Sequence, residues 1–482
     1  MRRYLLTPMA LSVCLFTVVP VTVQAQEAAK AAAVAWIDRN AETLSRINKN
    51  IWSYAETGLQ EFKSSRELMD FLKANGFTVE EGVAGMPTAF VASYGSGRPV
   101  IGILAEYDAL PGLSQGAISE QRERPGVEAG HGCGHSVYGT ASTGAAIAVK
   151  QAMESGQVEG TVRLYGTPAE ETLIGKTYML REGLFKTDDA ILSWHTGDRT
   201  AAVYGYSKAM VSVKFRFSGL PAHASVSPHA GRSALDAVEL MSVGVNYMRE
   251  HIEEDARIHY VITNGGGQPN VVPPEAEVWY YIRANKHQDV ERYFKWVEAI
   301  ARGAALMSRT ELAAVQIDAD AHEKLPNRTL SEVIHQNLEQ IGAPQFSAQE
   351  KDFARQTQAS LERKLDKALS ETVEPLLEEP GQGLGSTDLG DISWFVPVGN
   401  LRVASYTYGA PGHSWQIVAC TGTSIGEKGL MVAAKVLATS AIDLYLSPQL
   451  REKVQADFQK IREPLEYHTL IPEGQKAPKE IR

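Results

Sequence analysis

Any fold open to this 482-residue chain must bring together four short patches of metal-ligating side chains that lie far apart: HGCGH at 131–135, PAEE at 168–171, WH at 194–195 and GH at 412–413. Thiolate, imidazole and carboxylate together suit Zn2+, Co2+ or Mn2+ better than Ca2+ or Mg2+, which prefer shells of oxygen. Cys133 and His135 are two positions apart, too close for one helix face, so they need a turn or an extended segment. Gly130, Gly132 and Gly134 permit one. The helix-like run SVYGTASTGAAIAVKQAMES follows at once, with Ser136 as the expected N-cap. GTVRLYGT (160–167) reads as a buried strand with PAEE after it, and DAILSW (189–194) as another with His195 at its end. Ligands in open α/β sheets collect beyond the carboxyl ends of the strands, so three of the patches predict one site.

Each patch alone has a plainer reading. A histidine at a strand end is commonly a hydrogen-bonded structural residue, and PAEE is an ordinary helix start whose acids favour the N-terminal dipole. HGCGH is stronger, because a cysteine and two histidines within five residues form a metal-type cluster. His413 in GAPGHSW carries little by itself. The conjunction carries the inference.

From about 208 to 320 the pattern is strand (AMVSVKFRFSG), helix (GRSALDAVELMSVGVNYMRE), strand (RIHYVITNGG), strand (AEVWYYIRAN), helix (DVERYFKWVEAIARGAALMSR) and strand (LAAVQIDAD). That is the βαββαβ order of a ferredoxin-like unit. His413 lies beyond it, so this unit interrupts the domain that holds the patches, and the cleft between the two is the expected site.

The segments VIGILAEYDALPG (100–112), GHGCGH, TPAEE, WH, GLPAHAS (219–225), NVVPPEAEVWYYIR (270–283), GSTDLGDISWFVP (385–397) and GAPGHSWQ (409–416) follow one another at plausible spacing in the order found in the M20 family of metallopeptidases. The chain resembles that family from about residue 30 to about 445, most nearly its subfamily D amidohydrolases. The resemblance implies an α/β fold of two domains: a discontinuous catalytic domain with a mixed sheet (26–207 and 321–446), an inserted ferredoxin-like lid and dimerisation domain (208–320), and a C-terminal tail (447–482). It implies two divalent metal ions (Zn, Mn or Co), with Cys133 as the bridging ligand and His135, Glu171, His195 and His413 completing the shells. Glu170 would be the general base, and His223, Asn270 and Arg283 the substrate-binding set. Asp108, and Glu106 where other branches carry a metal histidine, would support the centre. The implied activity is hydrolysis of N-acyl or N-aroyl amino acids of the aminobenzoyl-glutamate kind. A dipeptidase or carboxypeptidase is the main rival, and a catalytically silent ligand- or metal-binding homologue a second. The implied partner is a second copy, with the histidine at 223 reaching across a dimer interface, or a different subunit.

The first 25 residues read as a secretory signal: Arg2 and Arg3, an apolar run, and small residues at Val23 and Ala25 before a cleavage point. The run is short and broken by Pro8 and Pro20, a poor membrane span. A periplasmic or secreted destination is therefore expected. Without that segment 45 basic and 57 acidic residues remain, a net charge of −12, which fits neither nucleic acid nor an anionic membrane. Cys133 and Cys420 would be the remaining cysteines, so no disulfide framework is expected. The polar stretch 364–386 reads as a helix and a connector.

Overall fold

The computed structural model describes residues 21–481, with side chains from residue 25. The expected leader lies outside the described residues, apart from its last five positions, which open a helix Val21–Arg39.

Seven strands form the main sheet, in the order Thr78–Glu81, Phe90–Gly95, Thr161–Gly166, Val100–Ala105, Ala190–Gly197, Val398–Ala404 and Ala201–Ala202. Thr161–Gly166, Val100–Ala105, Ala190–Gly197 and Val398–Ala404 run parallel, and the strands outside them are antiparallel. Val100–Ala105, VIGILA, is buried at every position, as expected of a parallel strand covered on both faces. On one face the sheet shares an apolar core with helices Val21–Arg39, Ala41–Tyr54, Phe62–Ala74, His135–Glu154, Arg328–Ile341 and Ser424–Leu446. Ser424–Leu446 is the one helix among the described residues long and apolar enough to cross a membrane, and most of it is buried in this core. On the other face Leu104, Tyr165, Ile191 and Val398 join a second core that continues into the inserted unit.

That unit has four antiparallel strands in the order Arg257–Asn264, Glu275–Ala284, Gly205–Ser218 and Glu311–Ala321, with helices Ala234–Met248 and His287–Ser308 between them in sequence. The βαββαβ order is the one the hydrophobic periodicity predicts. In Glu275–Ala284 burial alternates strictly, with Ala276, Val278, Tyr280 and Ile282 in the core shared with the two helices. Trp279, Tyr281 and Arg283 therefore occupy the opposite face.

Two segments differ from expectation. Residues 364–380 hold no helix: Pro375 and Pro380 interrupt one, and the segment runs irregularly, with Ala368 and Leu369 buried near Cys420, before a strand Gly381–Ser386 pairs with the start of Gly205–Ser218. Residues 447–481 are not a loose tail. A helix Pro448–Arg462 leads into a segment tied across both units: Thr469 Oγ1 and Leu470 N donate to Asp320, and Gln475 Nε2 donates to Tyr178 Oη and to the Ile317 carbonyl. Ile471 is buried beneath it.

Glu350 illustrates how the helices are fastened. It closes a capping box with Ser347 on helix Ala348–Gln358 and accepts from Ser424 Oγ and Lys428 Nζ on Ser424–Leu446. Burial opposes its ionisation, but Lys428, Ser424 and Ser347 prevail and hold it at about 2. A depressed carboxylate stabilises the fold above its ordinary pKa and loses that contribution as pH falls through the folded value. At about 1.4 kcal/mol per unit this amounts to roughly 3 kcal/mol. Glu350→Gln is expected to unfold earlier in urea at pH 7, with the gap from the unsubstituted protein closing below about pH 4.5. A gap constant from pH 7 to pH 3 would show that the ionised carboxylate contributes nothing.

Candidate metal centre

Four parallel strands carry their carboxyl ends to one edge of the sheet, and the ligand patches gather there. Val100–Ala105 leads into Glu106 and Asp108, Thr161–Gly166 into Ala169–Glu171, and Val398–Ala404 toward His413. Ala190–Gly197 carries His195 two residues before its end, not at the end. Cys133 lies in the turn after the short strand Ala129–Gly130, and His135 is the first residue of its helix. Gly134, not Ser136, occupies the N-cap position, in the left-handed region at φ 77°. A Cβ there would also stand 2.7 Å from the Thr196 side chain, so glycine lets the Cys133 turn close onto the strand bearing His195. At Gly139 a Cβ would meet the Glu106 carbonyl at 2.6 Å, and its absence seats the same helix against the end of Val100–Ala105.

Cys133 Sγ lies 3.4 Å from His195 Nε2, and His413 Nε2 lies 3.3 Å from Glu171 Oε2. The ligand atoms of Cys133, His135 and His195 fall within 4.8 Å of one another, as do those of Cys133, Glu171 and His413. One sulfur is thus common to two triads. An ion with bonds of about 2.0–2.3 Å sets neighbouring donors roughly 3–3.5 Å apart, so both short separations suit a shared ion. The ring tautomers follow from the outer nitrogens. His135 Nδ1 donates to Asp108 Oδ1 at 2.8 Å and His195 Nδ1 to the Thr196 carbonyl at 2.7 Å, which leaves each Nε2 with a lone pair facing inward. His135 Nε2 and Glu171 Oε1 are buried with no hydrogen-bond partner, an arrangement that a divalent cation relieves.

Burial, reinforced by the neighbouring His135 charge, pushes His195 down to about 3, so its ring is neutral and ready to ligate. Hydrogen bonds to Cys133 and Glu171 push His413 up to about 10, so in the ion-free chain it holds a proton that an incoming ion must displace. Glu170 is raised by burial and by Glu106, and Glu171 chiefly by burial. Asp108 serves two members of the centre, accepting from His135 Nδ1 and, at 3.0 Å, from the Glu171 amide. Ala169 and His413 hold left-handed backbone at φ 54° and 56°, conformations that a non-glycine residue adopts at a cost.

Three contributors escape the sequence reading. Glu61, fully buried, accepts from the Ala169 amide at 2.8 Å and so holds the turn before Glu170. Lys176 and Asp388 form a buried ion pair behind the centre. Conversely His131, the outer histidine of HGCGH, is not part of the centre. Its Nε2 meets the Ile51 carbonyl, and burial pushes it down to about 4.

Of the expected substrate residues, Arg283 lies nearest to the centre. It is largely buried, its Nε has no hydrogen-bond partner, and the charges of Glu170 and Glu171 act on it. His223 and Asn270 are brought together elsewhere, on exposed loops: His223 bridges to Val271 and the Asn270 carbonyl accepts from the Ala224 amide. The structure records no contact between this pair and the Cys133 cluster.

A model of the peptidase family M20/M25/M40 matches residues 102–439. The chain belongs to that family. Like other M20 proteins it is a hydrolase of amide bonds with a metal-binding centre, and the discontinuous α/β architecture is the family's own. Over 465 residues it is 41% identical to one of the two subunits of the p-aminobenzoyl-glutamate hydrolase of Escherichia coli (strain K12), a match that covers 91% of this chain and 96% of that protein. It is 29% identical over 440 residues to the Xaa-Arg dipeptidase of Mus musculus, covering 88% and 90%. A dinuclear metal-binding M20 peptidase of Bacillus subtilis shares the fold at a TM-score of 0.53 and 17% identity, covering 85% of this chain and 99% of that one.

Proposed function

We propose that this M20 protein cleaves the amide bond of N-acyl or N-aroyl amino acids, aminobenzoyl-glutamate among them, with Glu170 as general base. The observation that carries this reading is a single buried sulfur, Cys133 Sγ, shared by two ligand triads beside a raised, buried Glu170. Cys133, His135, His195, Glu171 and His413 would hold two divalent ions, zinc, manganese or cobalt. When bound, such ions lower the pKa of a water toward 7 and polarise the scissile carbonyl. Glu170 removes the proton from the attacking water and returns it to the leaving amine. A raised carboxylate pKa suits both directions of that transfer. Consecutive side chains diverge, so Glu171 can ligate while Glu170 faces the substrate.

Arg283 supplies the carboxylate clamp. A guanidinium matches the free carboxyl of an acyl-amino acid in bidentate geometry, and its unpartnered Nε is consistent with that task. Asn270 binds the same carboxylate or the neighbouring carbonyl, and His223 donates to the developing oxyanion. Their exposure fits a role at the site of a second subunit. The edge strand Arg257–Asn264, with Tyr260, Val261 and Ile262 turned outward, offers a face for that association. The partner is a second copy of this chain, or a distinct subunit as the name of the E. coli relative implies. The N-terminal signal directs the protein to the periplasm or outside the cell.

Similarity to a dipeptidase favours a second reading, since the same clamp would hold the carboxylate of a dipeptide. The deciding experiment measures amino acid release from N-acetyl, N-aroyl and indole-acetyl amino acids and from dipeptides, using chelator-treated protein with and without added Mn2+, Co2+ or Zn2+. Metal-dependent release from the acylated amino acids is expected. Release mainly from dipeptides would move the assignment to dipeptidase. No release from protein holding two ions would leave a silent binding homologue or one lacking a partner subunit.

A further inference from the structure

We propose that Glu106 is an additional protein ligand of the metal pair, set in place by the buried Lys176; the proposal rests on the metal-centre reading above. Lys176 lies on helix Gly175–Arg181, just beyond the Glu170–Glu171 turn, and has no exposed surface. Its Nζ stands 2.8 Å from Glu106 Oε1 and 2.6 Å from Asp388 Oδ1, and its amide donates to Asp388 Oδ2 at 2.8 Å. A buried ammonium is tolerated only when paired and hydrogen-bonded, and here two carboxylates do so.

The clamp decides where the other oxygen of Glu106 points. With Oε1 held by Lys176, Oε2 lies 3.3 Å from His135 Nε2, and both atoms are buried with no hydrogen-bond partner. His135 gives its Nδ1 proton to Asp108, so its Nε2 presents a lone pair. A carboxylate oxygen and an imidazole lone pair facing each other in a dry interior repel unless a cation stands between them. Their separation is that of two neighbouring donors on one ion with bonds of about 2.0–2.1 Å. Glu106, His135 and Glu170 form a triad of ligand atoms within 4.8 Å, adjoining the Cys133, His135 and His195 triad through His135. Glu106 therefore completes a four-donor set with Cys133, His135 and His195. That separates two buried glutamates by task, with Glu106 ligating and Glu170 moving protons. Lys176 acts through Glu106 and is a positioning residue.

The test is a Co2+ titration of metal-free protein, following two absorption signals. The near-ultraviolet band of a thiolate bound to cobalt reports Cys133, and the visible ligand-field bands report the number and kind of donors. Glu106→Gln removes the charge, while Glu106→Asp keeps the charge beside Lys176 but withdraws the carboxylate by one methylene. Thermal melts establish that each variant is folded, and Glu106→Asp, which preserves the charge balance, is the arm that survives if the glutamine variant does not fold. The unsubstituted protein should take up two ions. In either folded variant one of them should bind on the order of 10- to 100-fold more weakly, with altered ligand-field bands and an unchanged thiolate band at saturation. Two ions bound with unaltered affinity and spectra in Glu106→Asp would overturn the assignment of Glu106. No cobalt uptake by the unsubstituted protein would instead refute the metal centre itself.

Discussion

Glu170→Gln is expected to retain both ions and the fold while kcat falls by about 10²–10⁴-fold or more, with KM nearly unchanged. The carboxyl lies beside the ligand cluster without belonging to either triad that shares Cys133: its Oε2 is 3.9 Å from His135 Nε2. Glutamine has the same volume and no basic oxygen to take the proton, so the substitution removes a chemical step and little else. Burial and Glu106 both raise the Glu170 pKa, and replacing it with a neutral amide also lessens the crowding of negative charge, which should leave thermal stability equal or higher. The measurements are metal content by mass spectrometry and steady-state kinetics on the best substrate of the amide panel. A variant that turns over at more than a tenth of the normal rate would remove Glu170 from the role of base.

Cys133→Ala should do the opposite, abolishing turnover by abolishing the metal pair. Its Sγ is the atom common to both triads, so its loss removes a donor from each ion at once and leaves two positive charges without the bridging anion between them. The variant should hold at most one ion per chain after desalting, where the unsubstituted protein holds two. Cys133→Asp is the informative companion. A carboxylate can also bridge, and as a harder donor it should restore two-ion binding with a preference moved from zinc toward manganese. Two ions retained by Cys133→Ala would show that the sulfur does not bridge.

Ligands that come directly after hydrophobic strands were legible in the sequence. Residues 131–135, 168–171 and 194–195 each sit where a buried apolar run stops, and cysteine, histidine and paired glutamates are uncommon enough there to stand out. The βαββαβ unit was equally legible, because period-2 and period-3.6 patterns alternate across it without interruption. Lys176 was not. In TLIGKTYML it reads as the polar face of a short helix, and its burial depends on carboxylates at 106 and 388, which no local pattern announces. Glu61 is hidden in the same way, being matched to an amide 108 positions later. The Ser136 cap failed because Gly134 takes the left-handed turn, so the helix starts one residue early and His135 joins it. The segment after Arg462 is polar enough to pass for a tail. Its anchoring rests on Ile471 and on hydrogen bonds to Asp320, Tyr178 and Ile317, contacts that exist only once both units are assembled.

The placement of His413 after the inserted unit fixes an order of biogenesis. As the polypeptide emerges from amino to carboxyl end, Cys133, His135 and His195 are all synthesised before the insertion begins at Gly205, whereas His413 becomes available after that whole unit and the Asp388 segment have been made. The triad containing His195 can thus be complete in a growing or freshly exported chain, and the triad containing His413 cannot. Metallation would then proceed in two stages, the first ion marking an open intermediate and the second sealing the long loop that the insertion creates.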